Sequence, residues 1–197
     1  LSETGPTGYT PSAWSCTSGT LAGANLTLAA GQIATCTITN DDVSPRLTLL
    51  KTVTNDNGGT NVDTDFTLTA TGPTTITGVE GGAAVTNAAV TAGTYTLTES
   101  GAATANYTQG TWSCTAGTLT GNSLVLAVGQ SASCTITNND RPRLTLLKTV
   151  INDDGGTALD TAFTLTATGS VTISGAEGNA SVTNVAVNAG TYVLSES

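Results

Sequence analysis

The chain has 197 residues, a formal net charge of −9, and neither histidine nor methionine. Charged residues make up 10% and aromatic residues 4%, whereas threonine, alanine, glycine and valine dominate. This charge argues against nucleic acid or an anionic membrane surface as a partner, and no segment is long and apolar enough to predict a bilayer span. The composition, with its 23 glycines, indicates an all-β protein rich in turns.

The first segment of the chain contains a pattern that returns later. Its aromatic, cysteine and asparagine residues recur 98 residues further on: Tyr9, Trp14, Cys16, Cys36 and Asn40. A period of about 97 residues predicts tandem domains of ordinary size. We expect residues 1–44 to be the C-terminal half of a repeat, 45–140 a complete repeat and 141–197 the N-terminal half of a third. The chain is then a window of a longer repetitive polypeptide, or a repeat unit in a shifted register.

The complete repeat opens with the segment 46–53, which returns almost unchanged as 143–150. These two copies hold the only lysines of the protein, Lys51 and Lys148. Alternation in a strand places Lys51 on the same face as Leu49 and Val53. Since an unpaired buried ammonium is costly, Lys51 needs a buried carboxylate partner or a chemical fate that removes its charge.

The rest of the complete repeat contains short strands separated by Gly and Asn turns. The predicted strands cover 66–70, 74–77, 84–86, 88–90, 94–99, 110–114, 123–126 and 133–138. Short strands at this spacing, with no helical pattern, predict an immunoglobulin-like β-sandwich. The linkers 41–45 and 139–142 are short, so we expect successive domains to stack as a stiff rod.

The four cysteines form one pair in each of two repeats, Cys16 with Cys36 and Cys114 with Cys134. Two thiols without histidine make a poor metal site, so a disulfide in each repeat is favoured over a metal centre or buried free thiols. Closing a loop of this size stabilises by about 3 kcal/mol. The pairs predict an oxidising, extracytoplasmic compartment.

Three polar residues of the complete repeat fall on apolar strand faces. Lys51 shares a face with Leu49, Glu99 with Leu97, and Asn138 with Ile136. An apolar environment disfavours the charged forms of an amine and of a carboxylic acid, so neutral forms of both can coexist there. The alternative is a buried Lys51–Glu99 ion pair with Asn138 as a hydrogen-bonding neighbour.

These motifs resemble the B-type, prealbumin-like repeat domains (Cna B-type and SpaA-like) of Gram-positive collagen adhesins and pilus subunits. The family carries a lysine in the first strand, a Tyr-x-Leu-x-Glu strand, and Ile-x-Asn in the last strand. Here these motifs are Leu49-Leu-Lys51, Tyr95-Thr-Leu-Thr-Glu99 and Ile136-Thr-Asn138. The resemblance covers the complete repeat and both partial ones, and it implies a prealbumin-like β-sandwich.

The resemblance also implies an intramolecular isopeptide bond between Lys51 Nζ and Asn138 Cγ, with Glu99 as the proton shuttle. The partial repeats carry incomplete sets of the same residues: Glu3 and Asn40 in the first, Lys148 and Glu196 in the last. We expect Lys148 to find its partner outside this window or in the next chain. We expect Asn40 to find its partner outside this window or in the previous chain.

The Asn/Gly-rich loops that contain Asp56 and Asp153 offer oxygen ligands for calcium, but they lack the terminal bidentate Glu of an EF-hand. A plain turn is favoured, with no cofactor, and a structural Ca²⁺ at these two residues is the alternative. The sequence contains neither a nucleophile–histidine pair nor a phosphate loop. We therefore expect no enzymatic activity other than autocatalytic isopeptide formation.

The features together predict a structural stalk or filament module at a bacterial cell surface or in an extracellular fibre. Its expected partners are neighbouring repeats or identical subunits arranged head to tail, with any host or matrix ligand bound elsewhere in the full protein. The alternative function is that of an adhesin repeat that itself binds matrix protein or glycan. The near-identical repeats have little aromatic or basic surface, which favours the spacer.

Overall fold

The computed structural model describes residues 1–197, apart from the side chain of Ala102. The strands are β1 (Tyr9–Pro11), β2 (Ser15–Cys16), β3 (Thr20–Ala22), β4 (Asn25–Thr27), β5 (Cys36–Thr37), β6 (Asn40–Asp42), β7 (Arg46–Thr54), β8 (Thr67–Thr71), β9 (Ile76–Gly78), β10 (Ala88–Ala89), β11 (Gly93–Ser100), β12 (Tyr107–Gln109), β13 (Ser113–Cys114), β14 (Thr118–Thr120), β15 (Ser123–Leu126), β16 (Ser131–Asp140), β17 (Arg143–Leu144), β18 (Leu165–Thr168), β19 (Ile173–Gly175), β20 (Val185–Ala186) and β21 (Val193–Glu196). Short 3-10 helices cover Asp63–Asp65, Ala102–Asn106 and Asp160–Ala162. Among the described residues there is no α-helix, and none of the helices could cross a membrane.

The chain divides into two compact units, each built from three segments. Unit 1 comprises Leu1–Lys51, Phe66–Ser100 and Thr111–Ile136, and unit 2 comprises Thr52–Asp65, Gly101–Gly110 and Thr137–Ser197. Unit 1 therefore contains residues of the first and second predicted repeats, and unit 2 contains residues of the second and third. The predicted boundaries after residues 44 and 140, and the period of about 97 residues, stay predictions.

Unit 1 contains a five-stranded antiparallel sheet with the strand order β14-β15-β11-β8-β9. Its strands follow from the alternation of apolar residues and threonine, which places every second side chain on one face. On β11, Tyr95 lies opposite Leu124 of β15, and Leu97 lies opposite Ala70 of β8. All four of these side chains are buried, whereas Thr96 between them is exposed.

A second sheet has the strand order β10-β7-β16-β12, and β13 also pairs with β16. On β7 the side chains of Leu47, Leu49 and Lys51 are buried, and the residues between them are more exposed. On β16 every second residue from Ala132 to Asp140 is buried. Strands β7 and β16 are thus neighbours in one sheet, and each presents an apolar face that ends in polar residues.

The core of unit 1 is formed by the inward faces of the two sheets. Leu49 and Ile136 come from the second sheet, and Leu68, Leu97 and Leu124 come from the five-stranded sheet. Each is almost fully removed from solvent. Burying a side chain of this size contributes about 1.5–3 kcal/mol. The predicted all-β sandwich is confirmed.

The segments before and after this sandwich form smaller sheets. In unit 1, residues 1–44 form the antiparallel pairs β1-β6, β2-β5 and β3-β4. In unit 2, residues 141–197 form the pair β17-β20 and the three-stranded sheet β19-β18-β21. A second, smaller core there contains Leu146, Leu165, Ala167, Ile173, Val182 and Val187.

The structure differs from the predicted strands at three places. Of the predicted strand 110–114 only Ser113–Cys114 is a strand, and β12 (Tyr107–Gln109) precedes it. Residues 84–86 form a turn rather than a strand, in which Val85 donates to the carbonyl of Gly82 and its own carbonyl accepts from Leu49. The prediction of a strand there was wrong because this segment has a single buried valine beside alanine, and apolar and polar residues do not alternate along it. Strand β14 was not predicted, since its sequence Thr-Leu-Thr directly follows a glycine turn.

Candidate cross-linking site

The centre of the candidate site is a pair of buried charged side chains, Lys51 on β7 and Glu99 on β11. Lys51 Nζ lies 2.8 Å from Glu99 Oε2, and the two side chains are 0% and 1% exposed. The ammonium also lies 4.5 Å from the centroid of the Phe66 ring. A pair so far removed from water loses most of its hydration, which offsets much of its mutual attraction.

Strand alternation positions both members of the pair. Lys51 follows Leu47 and Leu49 on the inward face of β7, and Glu99 follows Tyr95 and Leu97 on the inward face of β11. Because the two strands belong to opposite sheets, their inward side chains meet in the core. The predicted approach of Lys51 to Glu99 is therefore present in the structure.

Glu80 is a further carboxylate at Lys51 that the sequence reasoning missed. Its Oε2 accepts a hydrogen bond of 2.8 Å from the backbone N–H of Lys51. Glu177 does the same for the backbone of Lys148, at 2.7 Å. Each carboxylate lies 29 residues beyond its lysine, and this repeated separation was the signal available in the sequence.

Asn138 lies on β16, the strand next to β7 in the sheet, and is 1% exposed. It occupies the inward row of β16 after Cys134 and Ile136, and in the backbone register it lies opposite Gln109 of β12. The burial predicted for Lys51, Glu99 and Asn138 is thus observed for all three. Their chemical roles stay predictions.

The partial sites contain the same residue types in more exposed surroundings. In unit 2, Lys148 Nζ lies 2.7 Å from Glu196 Oε2, with the two side chains 20% and 49% exposed. The Lys148 ammonium lies 4.6 Å from the Phe163 ring, as Lys51 does near Phe66. In unit 1, exposed Asn40 donates from Nδ2 to Glu3 Oε2 at 3.2 Å.

Both predicted disulfides are present. Cys16 bonds Cys36 between β2 and β5, and Cys114 bonds Cys134 between β13 and β16. The described residues include no free cysteine. The second bridge adjoins the core of the sandwich, where Cys134 is fully buried. These bonds fit an oxidising environment.

The loop that contains Asp56 is organised around Asp140, the last residue of β16. The Asp140 carboxylate accepts backbone N–H bonds from Asp56 at 3.0 Å, from Asn57 at 2.9 Å and from Gly59 at 2.6 Å. Burial raises the pKa of Asp140, but the hydrogen bonds from Gly59 and Asn57 outweigh it and hold this pKa below its usual range. The sequence reasoning missed this role of Asp140.

The calcium candidates Asp56 and Asp153 both lie in exposed loops. Around Asp140 the first of these loops turns N–H donors inward, whereas calcium requires oxygen ligands. Among the described residues, no three or more His, Cys, Asp or Glu side chains are grouped to hold a metal ion. The calcium hypothesis stays a prediction.

Comparison with known proteins gives one family. A family model described as a prealbumin-like fold domain matches residues 1–38, 42–136 and 139–197, which is nearly the whole chain. The comparisons with curated proteins and with solved structures gave no match.

Proposed function

Because the chain belongs to the family of SpaA-type, prealbumin-like fold domains, we propose that it is a structural module of an extracellular bacterial fibre. Its central domain, residues 45–140, is proposed to carry an amide bond between Lys51 Nζ and Asn138 Cγ. The single observation that supports this bond best is the 2.8 Å contact of Lys51 with Glu99 inside an apolar core. A buried ion pair contributes little net stability, whereas the attack of a lysine amine on an amide requires a proton acceptor beside that amine.

The chemistry follows from the environment of Lys51. Transfer of a proton from the ammonium to Glu99 removes both charges, and burial favours this neutral state. The neutral Nζ attacks Asn138 Cγ, while the protonated Glu99 donates to the developing oxyanion. The new C–N bond replaces the C–NH₂ bond, Glu99 relays a proton to the leaving nitrogen, and ammonia departs. The product is an uncharged secondary amide, so no ion remains in the core.

The position of the bond suits a fibre under tension. Lys51 lies on the first strand of the central domain and Asn138 on the last. An amide between neighbouring strands β7 and β16 would carry force from one end of the domain to the other through covalent bonds. The Cys114–Cys134 disulfide supports β16 from β13. The two disulfides favour an extracellular location.

The test is the intact mass of the full chain under reducing, denaturing conditions. We expect a loss of the mass of one ammonia for the central domain, and this loss should disappear in Glu99→Ala and in Lys51→Ala. A peptide joining the segments of Lys51 and Asn138 should be recovered after digestion.

Lys148→Ala is the matched control, because it removes the other lysine and should retain the loss. The unmodified mass in the unsubstituted chain would instead establish a buried ion pair. Binding of matrix protein or glycan by the chain would favour the adhesin alternative.

A further inference from the structure

A small cavity lies at the linker 139–142, and all the residues that line it belong to unit 2. Its walls include the loop 58–61, Asn106, Arg141 and Arg143. The two arginines are two of only three in the chain. The cavity has a volume of about 160 Å³. Since one water molecule takes about 30 Å³ of the liquid, this space admits a chemical group of a few non-hydrogen atoms.

The two arginines provide this cavity with hydrogen-bond donors. Nε of Arg141 is buried and has no hydrogen-bond partner among the described residues. Arg143 donates from Nη1 to the Asn184 carbonyl at 2.9 Å and from Nη2 to Asn106 Oδ1 at 3.1 Å. A guanidinium has five N–H donors, so these two contacts leave further donors on Arg143. A buried donor without an acceptor is unfavourable, and a ligand with acceptor oxygens would satisfy it.

The charges around the cavity favour a ligand with a single negative charge. Arg141 and Arg143 carry two positive charges, and neither forms an ion pair among the described residues. The Asp140 carboxylate also lies in the wall, but it accepts hydrogen bonds from the loop, including one of 2.6 Å from the Gly59 N–H. Two positive charges and one negative charge leave the wall with one positive charge. A carboxylate balances this charge, whereas a divalent sulfate or phosphate exceeds it.

The side chains of the cavity are specific to this linker. At a separation of 98 residues, Val43 is the counterpart of Arg141, and Gly8 is the counterpart of Asn106. The backbone contact is the same in both linkers. The Val43 N–H donates to the Gly8 carbonyl at 2.8 Å, and the Arg141 N–H donates to the Asn106 carbonyl at 3.1 Å. The second linker therefore adds a guanidinium and an amide to a backbone arrangement that the first linker shares.

We propose that Arg141 and Arg143 bind the carboxylate of an acidic sugar, such as a uronate, in this cavity. The planar guanidinium matches the two oxygens of a carboxylate. The walls contain no aliphatic side chain to hold the apolar part of a peptide, whereas Thr60 and Asn106 offer hydroxyl and amide groups for sugar hydroxyls. Neither Lys51 nor Asn138 lines the cavity, so the inference does not depend on the proposed amide bond.

The experiment is an NMR titration of the full, ¹⁵N-labelled chain with sodium glucuronate, with sodium chloride keeping the ionic strength constant. We expect saturable shifts of the Arg141 Nε–H signal and of the Gly58 and Gly59 amide signals. The dissociation constant should be on the order of 1 mM, as for a small ligand with few contacts. Methyl glucoside has no carboxylate and should cause no shift.

Substitution of the arginines separates the cavity from the charge of the whole chain. Arg141→Ala should weaken glucuronate binding by about tenfold or more, because charge-assisted hydrogen bonds are lost. Arg141→Lys keeps the charge but lacks the planar fork, so it should also bind more weakly than the unsubstituted chain. Arg46→Ala is the matched control. Arg46 is the counterpart of Arg143 in the first linker and donates to the Asn87 carbonyl at 3.2 Å, so its loss should leave the affinity unchanged.

Four results would overturn the inference. A titration of the unsubstituted chain without saturable shifts would exclude the site. Equal weakening by Arg46→Ala and Arg141→Ala would show that the net charge, and not the cavity, attracts the ligand. Tighter binding of sulfate would contradict the preference for a single negative charge, and tighter binding of N-acetylaspartate amide would assign the cavity to acidic peptides instead of sugars. The ammonia loss that tests the central amide is measured separately, so the two proposals fail independently.

Discussion

Glu80 Oε2 lies 2.8 Å from the backbone nitrogen of Lys51, the residue whose Nζ pairs with Glu99. One lysine is thus held by two carboxylates, one at its backbone and one at the end of its side chain. Because Glu80 lies at the start of the turn region 80–86, this bond ties that region to β7. It fixes the backbone of the residue whose amine pairs with Glu99.

Replacing Glu80 by alanine should lower the free energy of unfolding by about 1–2 kcal/mol, since a charge-assisted hydrogen bond to a part-buried amide is lost. Urea denaturation followed by tryptophan fluorescence measures the change. Glu80→Gln is the control, because its carbonyl oxygen still accepts from the Lys51 N–H, and it should lose less. Equal losses in the two variants would show that the hydrogen bond does not carry the effect.

The Lys51–Glu99 pair should behave as a buried ion pair when one partner is removed. Relative to a chain in which the pair is intact and no amide has formed, Glu99→Ala leaves an unpaired amine in the core and should cost about 3–5 kcal/mol. The double variant Lys51→Met with Glu99→Leu lacks both charges and should be clearly more stable than Glu99→Ala. Neither variant can form the amide, so denaturant unfolding compares them directly. A double variant as unstable as the single one would contradict this account.

The exposed pair Lys148–Glu196 should contribute less to the free energy of unfolding than the buried pair Lys51–Glu99. With side chains 20% and 49% exposed, both partners remain in contact with water. Lys148→Met should change the free energy of unfolding by less than about 1 kcal/mol in monomeric protein, as expected for a solvent-exposed pair.

Asp140 should make stability depend on pH in the acidic range. Its pKa is depressed in the folded state, so its contribution is present above the unfolded-state pKa of about 3.9 and is lost as the pH falls through the lower folded-state value. Asp140→Asn removes this contribution at every pH. The Tm difference between the unsubstituted chain and this variant should be greatest near neutral pH and shrink on acidification. A difference that does not vary with pH would contradict the role of the carboxylate.

Gly59 should tolerate no side chain, because the backbone there approaches the Asp140 site closely. A Cβ at Gly59 would lie 2.6 Å from Tyr107 Oη and 2.7 Å from Asp140 Cβ. Gly59→Ala should therefore destabilise by about 1–3 kcal/mol through overpacking. The control is Gly156→Ala, whose nearest neighbours all belong to the side chain of Asn152, which can move. Thermal unfolding of both variants tests the prediction, and equal Tm losses would refute it.

The sequence predicted the parts of the fold in which apolar residues and threonine alternate. Strands β7, β11 and β16 follow this rule, so their inward faces could be read directly. The same rule predicted that Lys51, Glu99 and Asn138 would be buried. It failed for residues 84–86, where Asn87 adopts a positive φ of 50° and the chain turns instead of extending. Alternation carries no information about turns in alanine-rich segments.

The carboxylates Glu80 and Asp140 could not be predicted in the same way. Each contacts the backbone of a distant segment, 29 residues away for Glu80 and more than 80 for Asp140. Single-sequence patterns report on local geometry, whereas these contacts are set by the packing of whole strands. The sequence of the loop 54–60 therefore predicts a turn or a calcium site, and it does not indicate that backbone N–H groups of this loop bind the Asp140 carboxylate.

The scarcity and placement of basic residues also bear on the lifetime of the protein among secreted proteases. The chain has five Lys and Arg residues in 197. Lys51 is buried, Arg141 is followed by proline, and Arg46 is held in β7 by backbone pairing with Ala89. Trypsin-like enzymes need an accessible, extended segment after a basic residue, which at Arg46 and Lys51 in β7 requires local unfolding. Three of the five cations, Arg46, Lys51 and Arg143, lie within strands, so we expect digestion by such enzymes to be restricted to few sites.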